Sequence, residues 1–537
     1  MQVAGSDIHE RVTAALRGTL ARLMRGRVGT WLALLAFGLV VLAPGCQHIP
    51  ATDRDESRYA QAARQIVESG EWGDIRFQDE LRLKKPPGIY WLQAGLQQAL
   101  GLPDSIASHR LPSLLGALGS LLLLLALARR CLDARIALLP PLALAVSFLL
   151  GAEARLATTD AVLLLTTLAA AGVLTLRLTG RPWRHDDLIL AGALAAGVLV
   201  KGPVIILLVA GMAAVALLLR RAGCLRPLLT WRAALLFVTL ALPWFWLIAA
   251  RHGAAFWQDS LVHDVAGKAI GAQESHGQPP GFYLLTLPLA GWPWAALLPA
   301  IGWLAWHRRG EPLVLALLAW ILPFWCVFEL APTKLVHYVL PTYPAFALLA
   351  ALAWQARDDW PVWVRRACIA LLLFGAIALA VASGMLVDRF GGAVWASALF
   401  VGTLLVAVAG FFWRKAALTW LLLGAGLAYA QFWGVLVPSL QALWLSERLA
   451  TLTAPWRPAC DAPTVADGFV EPSLVFELGT DLRLGVPGPL PVGATCRVRL
   501  SREPLAGDHL RPLGTVGGFN YARGRAIEVH AYLESAQ

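Results

Sequence analysis

The sequence predicts an all-α, polytopic membrane protein of about thirteen transmembrane helices, with juxtamembrane helices in its first external loop and a small C-terminal α/β domain. Three observations carry this reading. Of 537 residues, 58% are hydrophobic and only 15% are charged, and the mean hydropathy is +0.62. Soluble chains run nearer ~45–50% apolar and about 25% charged. The apolar residues gather into runs that approach the roughly 20 residues a membrane-crossing helix needs. The basic residues concentrate in alternate connections between those runs, the pattern expected of cytoplasmic loops. A water-exposed globule and a disordered chain are both excluded. The net charge of +11 and pI of about 9.6 follow from the same loop bias, so no nucleic-acid partner is expected.

In chain order, residues 1–29 form a basic N-terminal segment, with Arg11, Arg17, Arg22, Arg25 and Arg27 against Asp7 and Glu10. An apolar run from Trp31 to Pro44 follows. A cleaved signal peptide has this profile, and Leu42-Ala43-Pro44-Gly45-Cys46 faintly resembles a lipoprotein cleavage site. Pro44 beside the small residue suits cleavage poorly, and an uncleaved first helix is the expectation. Further apolar segments run near 110–128, 136–152, 161–176, 187–200, 203–219, 233–250, 281–305, 312–329, 335–354, 367–387, 395–412 and 417–437. Starting inside, the connections at Arg129-Arg130, 177–184, 220–232, Arg308-Arg309, 357–366 and Arg414-Lys415 are cytoplasmic, each with at least two basic residues. The short connections on the other side carry one or two. A register of thirteen spans therefore agrees with the positive-inside rule throughout. It makes 30–437 a membrane domain, and leaves the first loop (47–109) and the tail (438–537) outside the cytoplasm.

The tail is richer in Gly, Pro and charge. Its short β-like runs (Arg497 to Leu500, Ala526 to Tyr532) and a helical stretch from Pro472 to Leu478 suggest a small α/β domain. Cys460 and Cys496 lie there, and in an oxidising compartment they either pair or remain free thiols. The chain's seven cysteines show no CxxC or Cys/His ligand spacing.

The first external loop carries the best candidate chemistry. Apolar residues at 59, 62, 63, 66 and 67 recur at helical spacing, predicting an amphipathic helix over 55–69 along the membrane surface. Asp55 at its start either caps the helix or serves a reaction. The next segment, Lys84-Lys85-Pro86-Pro87-Gly88-Ile89-Tyr90-Trp91, sets two cations beside a rigid turn and interfacial aromatics. A carboxylate and fixed cations on one surface loop suit a lipid-linked phosphate, which Lys binds as a point charge. A second carboxylate, Asp160, follows Glu153-Ala-Arg155-Leu-Ala-Thr158-Thr159. It too has a capping alternative, yet facing lipid at the bilayer edge would cost up to ~3 kcal/mol, so it should face a cavity. Lys201-Gly202-Pro203 interrupts an apolar run, and a Lys there is a functional candidate. Glu274, His276, Lys334, His337 and Tyr338 fall on the same external side.

Asp55-Glu56-x-Arg58-Tyr59-Ala60, Lys85-Pro86, Thr159-Asp160, Lys201-Gly202 and Lys334-Leu335-x-x-Tyr338, in that order over about residues 50–350, resemble the motifs of the bacterial GT-C membrane glycosyltransferases. These form the protein-mannosyltransferase and aminoarabinose-transferase superfamily, glycosyltransferase family 39 and its relatives. The resemblance implies a GT-C fold at the inner membrane, with the N-terminus cytoplasmic and the C-terminus periplasmic. It implies inverting transfer of a sugar from a polyprenyl-phosphate donor to a lipid A or lipopolysaccharide, glycan or protein acceptor, with membrane lipid as the surround. Asp55 and Asp160 would be the catalytic carboxylates, and Lys85, Arg58 and Lys201 would hold the donor phosphate. Glu56, Tyr59, Lys84, Glu274, His276, Lys334, His337 and Tyr338 would contact substrate. Two departures stand out. Aminoarabinose transferases usually have Glu where this chain has Lys84, and relatives often have Pro where it has Val336. Divalent metal use varies across the superfamily; Glu274 and His276 would be candidate ligands, and no other cofactor is expected.

Two other classes compete. A lipid-linked sugar flippase or transporter would also hold intramembrane charges and broken helices, but near the midplane and in repeated halves. A structural subunit would make the acidic residues dispensable.

Overall fold

The computed structural model describes residues 27–82, 85–253, 277–413, 417–486 and 488–536. Apolar sequence dictates mostly helix: among these residues, eight stretches are long and apolar enough to cross a membrane. A short apolar helix, α1 (Arg27–Leu42), opens the described chain. The first loop then folds as α2 (Asp55–Ser69), a two-stranded ribbon of β1 (Arg76–Phe77) and β2 (Glu80–Leu81), and α3 (Gly88–Ala99). The long α4 (Ile106–Cys131) returns through the apolar core. The run 136–152 is split into α5 (Leu139–Ala145) and α6 (Phe148–Glu153) rather than forming one helix. Next come α7 (Asp160–Leu178), α8 (Asp186–Lys201), α9 (Val204–Leu218) and α10 (Trp231–His252).

Proline interrupts the next apolar run. The segment 281–305 is divided into α11 (Phe282–Ala290) and α12 (Leu298–His307), with Pro293, which has no N–H to donate, between them. Then follow α13 (Pro312–Leu330), a 3₁₀ segment (Val336–Thr342) running into α14 (Tyr343–Gln355), α15 (Val362–Phe390), α16 (Val394–Trp413) and α17 (Ala417–Gln431).

Close helix contacts set the site's frame. A Cβ added at Gly116 of α4 would lie 2.9 Å from the Ala161 carbonyl oxygen of α7, so glycine lets the two backbones touch just beside Asp160. Gly88 at the start of α3 likewise faces the Leu199 carbonyl of α8 at 2.7 Å. This brings the Lys85 turn toward Lys201.

The C-terminal part holds α18 (Leu445–Thr453), α19 (Pro472–Leu478) and five strands: β3 (Val465–Asp467), β4 (Arg483–Leu484), β5 (Cys496–Ser501), β6 (Leu510–Asn520) and β7 (Arg525–Ser535). They form one sheet in the order β4-β3-β5-β7-β6. β3 runs parallel to β4 and β5, and β7 antiparallel to β5 and β6. Val498, Leu500, Val529 and Ala531 pack on Leu449, Leu474 and Val475 beneath the sheet. Cys460 and Cys496 are disulfide-bonded, with Cα atoms 4.9 Å apart.

The helix expected at 55–69 is present as α2, but it is not a half-exposed surface helix. Tyr59, Ala62, Ala63 and Ile66 pack against Ile89, Tyr90 and Ala94 of α3. The polar face is covered as well. Arg64 donates to the Phe476 carbonyl at 2.7 Å, with its guanidinium over that ring, and Gln61 donates to Thr480 Oγ1 at 2.7 Å. The C-terminal sheet region therefore clasps α2 from the side that sequence periodicity assigned to solvent.

At the root of α2 lies a buried ion pair. Arg110 of α4 is fully buried and donates to Glu56 Oε1 at 2.8 Å and Oε2 at 2.9 Å. It also donates to the carbonyls of Cys46, Ile49 and Pro50. Removing one partner of such a pair strands a buried charge. Arg110→Met is expected to destabilise the protein by about 3–5 kcal/mol, read as a lower melting temperature in detergent. Adding Glu56→Gln should recover part of the loss.

Candidate active site

The chain ends of five distant segments meet around one cavity of about 530 Å³. Asp55, Glu56 and Tyr59 enter from α2, Lys85 from the Pro-Pro turn, and Glu153, Thr158 and Asp160 from the α6–α7 junction. Lys201 comes from the end of α8, and His337 and Tyr338 from the 3₁₀ segment. Leu207 of α9 and Val327 and Phe328 of α13 supply an apolar wall.

Each polar group has a local reason for its position. Arg54 occupies the N-cap position of α2 with φ 65°, and no side chain caps the helix. Asp55 is thus not spent as a cap: its side chain is 65% exposed at the cavity, 4.0 Å from Arg58 one turn along. Asp160 does not cap either. No side chain caps α7, and Asp160 Oδ1 instead accepts from Lys201 Nζ at 2.6 Å, while Thr159 Oγ1 donates to Oδ2 at 3.2 Å. Lys201 closes α8 because Gly202 follows with φ 66° and Pro203 starts the next turn. Its ammonium lies 5.5 Å from the Tyr338 ring centre.

His337 stands between two carboxylates, with Nδ1 3.4 Å from Glu153 Oε1 and Nε2 3.9 Å from Asp160 Oδ2. Glu153 is 4% exposed and accepts one hydrogen bond from Thr158 Oγ1 at 3.1 Å. Glu153, Asp160 and His337 offer atoms all within 4.8 Å of one another, a spacing a divalent cation could bridge. The Lys201 ammonium already sits on Asp160, so an ammonium–carboxylate pair describes this corner without a metal.

Several residues depart from their expected roles. Glu56 was expected to bind substrate, but its carboxylate is consumed. Besides Arg110 it accepts from the Ala157 N–H at 2.8 Å and from Thr52 N and Oγ1 at 2.9 and 2.8 Å. Burial opposes its charge, yet Arg110 and these donors hold the carboxyl below its usual range. Lys334, also expected at the substrate, is 3% exposed, and its ammonium donates to the carbonyls of Gln278 and Ala331 at 2.8 and 2.6 Å. It locks its loop instead of lining the cavity. Arg58 stands beside Asp55 but is not part of the cavity wall. Lys84, Glu274 and His276 lie outside the described residues. Glu153 was not singled out from the sequence, although it lies seven positions before Asp160 in the same external segment. Arg110 was missed altogether, since nothing marks one Arg in an apolar helix as the partner of an acid 54 positions away.

The C-terminal region touches the cavity wall at Asp53. Asp53 Oδ1 accepts from the Ser473 N–H at 3.2 Å, and Tyr521 Oη accepts from the Asp53 N–H at 2.5 Å. Burial pushes the Asp53 carboxyl up to about 6, against the lowering effect of Ser473.

The chain is similar to known proteins in sequence and in fold. Residues 51–258 match the family model described as dolichyl-phosphate-mannose-protein mannosyltransferase. The undecaprenyl phosphate-alpha-4-amino-4-deoxy-L-arabinose arabinosyl transferase of Pseudomonas paraeruginosa is 32% identical over 336 residues, covering 60% of this chain and 58% of its own. The enzyme of the same name from Serratia proteamaculans is 30% identical over 341 residues, covering 61% and 60%. The alignment thus spans less than two thirds of these curated relatives. ArnT from Cupriavidus metallidurans, solved bound to undecaprenyl phosphate, superposes with a TM-score of 0.76 at 19% identity, covering 94% of this chain and 98% of that one. The fold is shared over nearly the whole length of both.

Asp53 yields a pH prediction. A carboxyl that titrates higher when folded stabilises the fold below its ordinary value near 3.8, and loses that contribution as pH rises through about 6. Melting temperature should therefore fall between these values through Asp53. Asp53→Asn should flatten that fall in melting curves taken across the same pH range.

Proposed function

We propose that this chain, which belongs to the GT-C superfamily of protein mannosyltransferases and aminoarabinose transferases, transfers a sugar from a polyprenyl-phosphate donor to an acceptor at the outer face of the inner membrane. The names of the relatives make undecaprenyl phosphate-linked 4-amino-4-deoxy-arabinose the first donor to consider, with a lipid A-type acceptor ahead of glycan or protein. One observation carries the reading: Asp55, Lys85, Asp160, Lys201 and His337, from segments far apart in sequence, line one cavity with an apolar wall. A lipid phosphate needs that combination, cations for its head and apolar surface for its chain.

In this reading the bond from the anomeric carbon to the donor phosphate breaks as a bond to the acceptor oxygen forms on the opposite face. Positive charge develops on the ring and negative charge on the departing phosphate. Fixed carboxylates and cations lower that barrier because they need not reorganise. Asp55, the exposed carboxylate, orients the acceptor and takes the proton of an acceptor hydroxyl. Asp160, paired with Lys201, faces the ring from the other side. Lys85 receives the phosphate, which leaves without a dedicated acid. Tyr59 and Tyr338 shape the sugar's berth.

The topology belongs to the same proposal: thirteen crossings, a cytoplasmic N-terminus, a membrane catalytic domain over 30–437 and a periplasmic domain over 438–537. The disulfide between Cys460 and Cys496 supports an oxidising location for the tail.

Asp55→Asn should lower kcat by about 10²–10⁴-fold with an unchanged melting temperature, measured by transfer of labelled sugar. Lys85→Ala should raise the donor KM by about ten- to hundredfold, the loss of one charged hydrogen bond. For topology, Ser69→Cys and Arg502→Cys at exposed positions should both react with a membrane-impermeant maleimide from the periplasmic side. Protection of either would overturn the assigned orientation.

A further inference from the structure

A cavity that receives an anionic phosphate should not be rich in unmatched acid, yet this one has five carboxylates in its wall against two lysines. Most are accounted for among the described residues. Glu56 takes Arg110, Asp160 takes Lys201, and Asp55 lies 4.0 Å from Arg58. Asp53 turns to the Ser473 N–H of the C-terminal region. Glu153 remains. It is buried, it faces the cavity, and no Lys or Arg among the described residues lies within ion-pair distance of it. His337 lies 3.4 Å away and is a cation only while protonated; the nearby Lys201 ammonium is bonded to Asp160 and shared with it. A buried carboxylate without a full countercharge is costly, and that cost is relieved when a ligand supplies the cation.

We propose that Glu153 is a specificity-determining residue that receives the ammonium of an amine-bearing donor sugar, while Lys85 receives the phosphate. The inference rests on the transfer reading above and adds a residue to it. The donor is then matched as a zwitterion, its negative end on Lys85 and its positive end on Glu153. A donor with a hydroxyl in place of the amine would leave Glu153 as it is in the empty site, and so forgo a charged hydrogen bond worth about ten- to hundredfold.

The test uses the full chain in nanodiscs with two donors, undecaprenyl phosphate bearing 4-amino-4-deoxy-arabinose or arabinose. Both transfer and equilibrium binding are measured. Wild type should favour the amine donor by about ten- to hundredfold in kcat/KM. Glu153→Gln should bring the two donors to the same value, chiefly by raising KM for the amine donor, and Glu153→Asp should restore part of the gap. Equal use of both donors by wild type overturns the proposal without any variant. So does a preference that survives in Glu153→Gln. Loss of both donors alike, together with abolition of transfer by a chelator, would instead assign Glu153, Asp160 and His337 to a divalent cation. If neither donor yields product, the transfer reading fails, and the binding constants still decide whether Glu153 distinguishes amine from hydroxyl.

Discussion

The geometry of the site depends on the buried pair between Arg110 and Glu56. One guanidinium and one carboxylate, both removed from water, together engage the carbonyls of Cys46, Ile49 and Pro50, the N–H of Ala157 and both donors of Thr52. Burying charge is unfavourable unless each polar atom is satisfied, and here nearly every donor and acceptor has a partner. The pair therefore fixes three backbones at once: the chain leaving α1, the first turn of α2 and the approach to α7. Asp55 is the residue beside Glu56, and Asp160 lies three positions after Ala157. The two proposed catalytic carboxylates are held in one frame by a pair that does no chemistry itself.

Around that pair, charges divide by what they touch. Arg155, Lys334 and Arg64 lie on the side expected to face outward, and all are buried. Arg155 donates to the carbonyls of Pro44, Gly151 and Val41, Lys334 to Gln278 and Ala331, and Arg64 to Phe476. Arg155 and Lys334 stitch backbone where helices end, because a carbonyl near the membrane core has no water to bind, and Arg64 ties α2 to α19. Lys201, His337, Glu153 and Asp160 instead line open space. The C-terminal sheet region contributes by covering: its contacts to Gln61, Arg64 and Asp53 hold α2 against α3 and leave Asp55 facing inward.

Much of the architecture was legible along the chain. The period of residues 59, 62, 63 and 66 located α2 to its terminal residues, and the stretch from Pro472 to Leu478 is α19. The β-like runs fall inside β5 and β7. The site was legible only as a set of candidates. Asp55 and Asp160 each had a capping alternative that sequence could not remove, because an acid at a helix start looks the same whether it bonds the backbone or faces a cavity. Glu56, Lys334 and Lys201 looked alike as charges between apolar runs, yet Lys334 is spent on backbone carbonyls, Glu56 on Arg110 and Lys201 on Asp160.

By itself, the sequence determined that this is a many-helix membrane protein with a small sheet-bearing tail and acid- and lysine-rich stretches between its apolar runs. Hydropathy, period and loop charge are local sums, and a chain in lipid must satisfy its backbone within each helix whatever its neighbours are. Only the tertiary structure decided which charges neutralise one another and which are left to a substrate. That assignment depends on separations of a few ångströms between segments dozens of residues apart, as between Glu56 and Arg110 or Asp160 and Lys201. Coulomb energy and desolvation act on those separations, and no pattern confined to one stretch of chain records them.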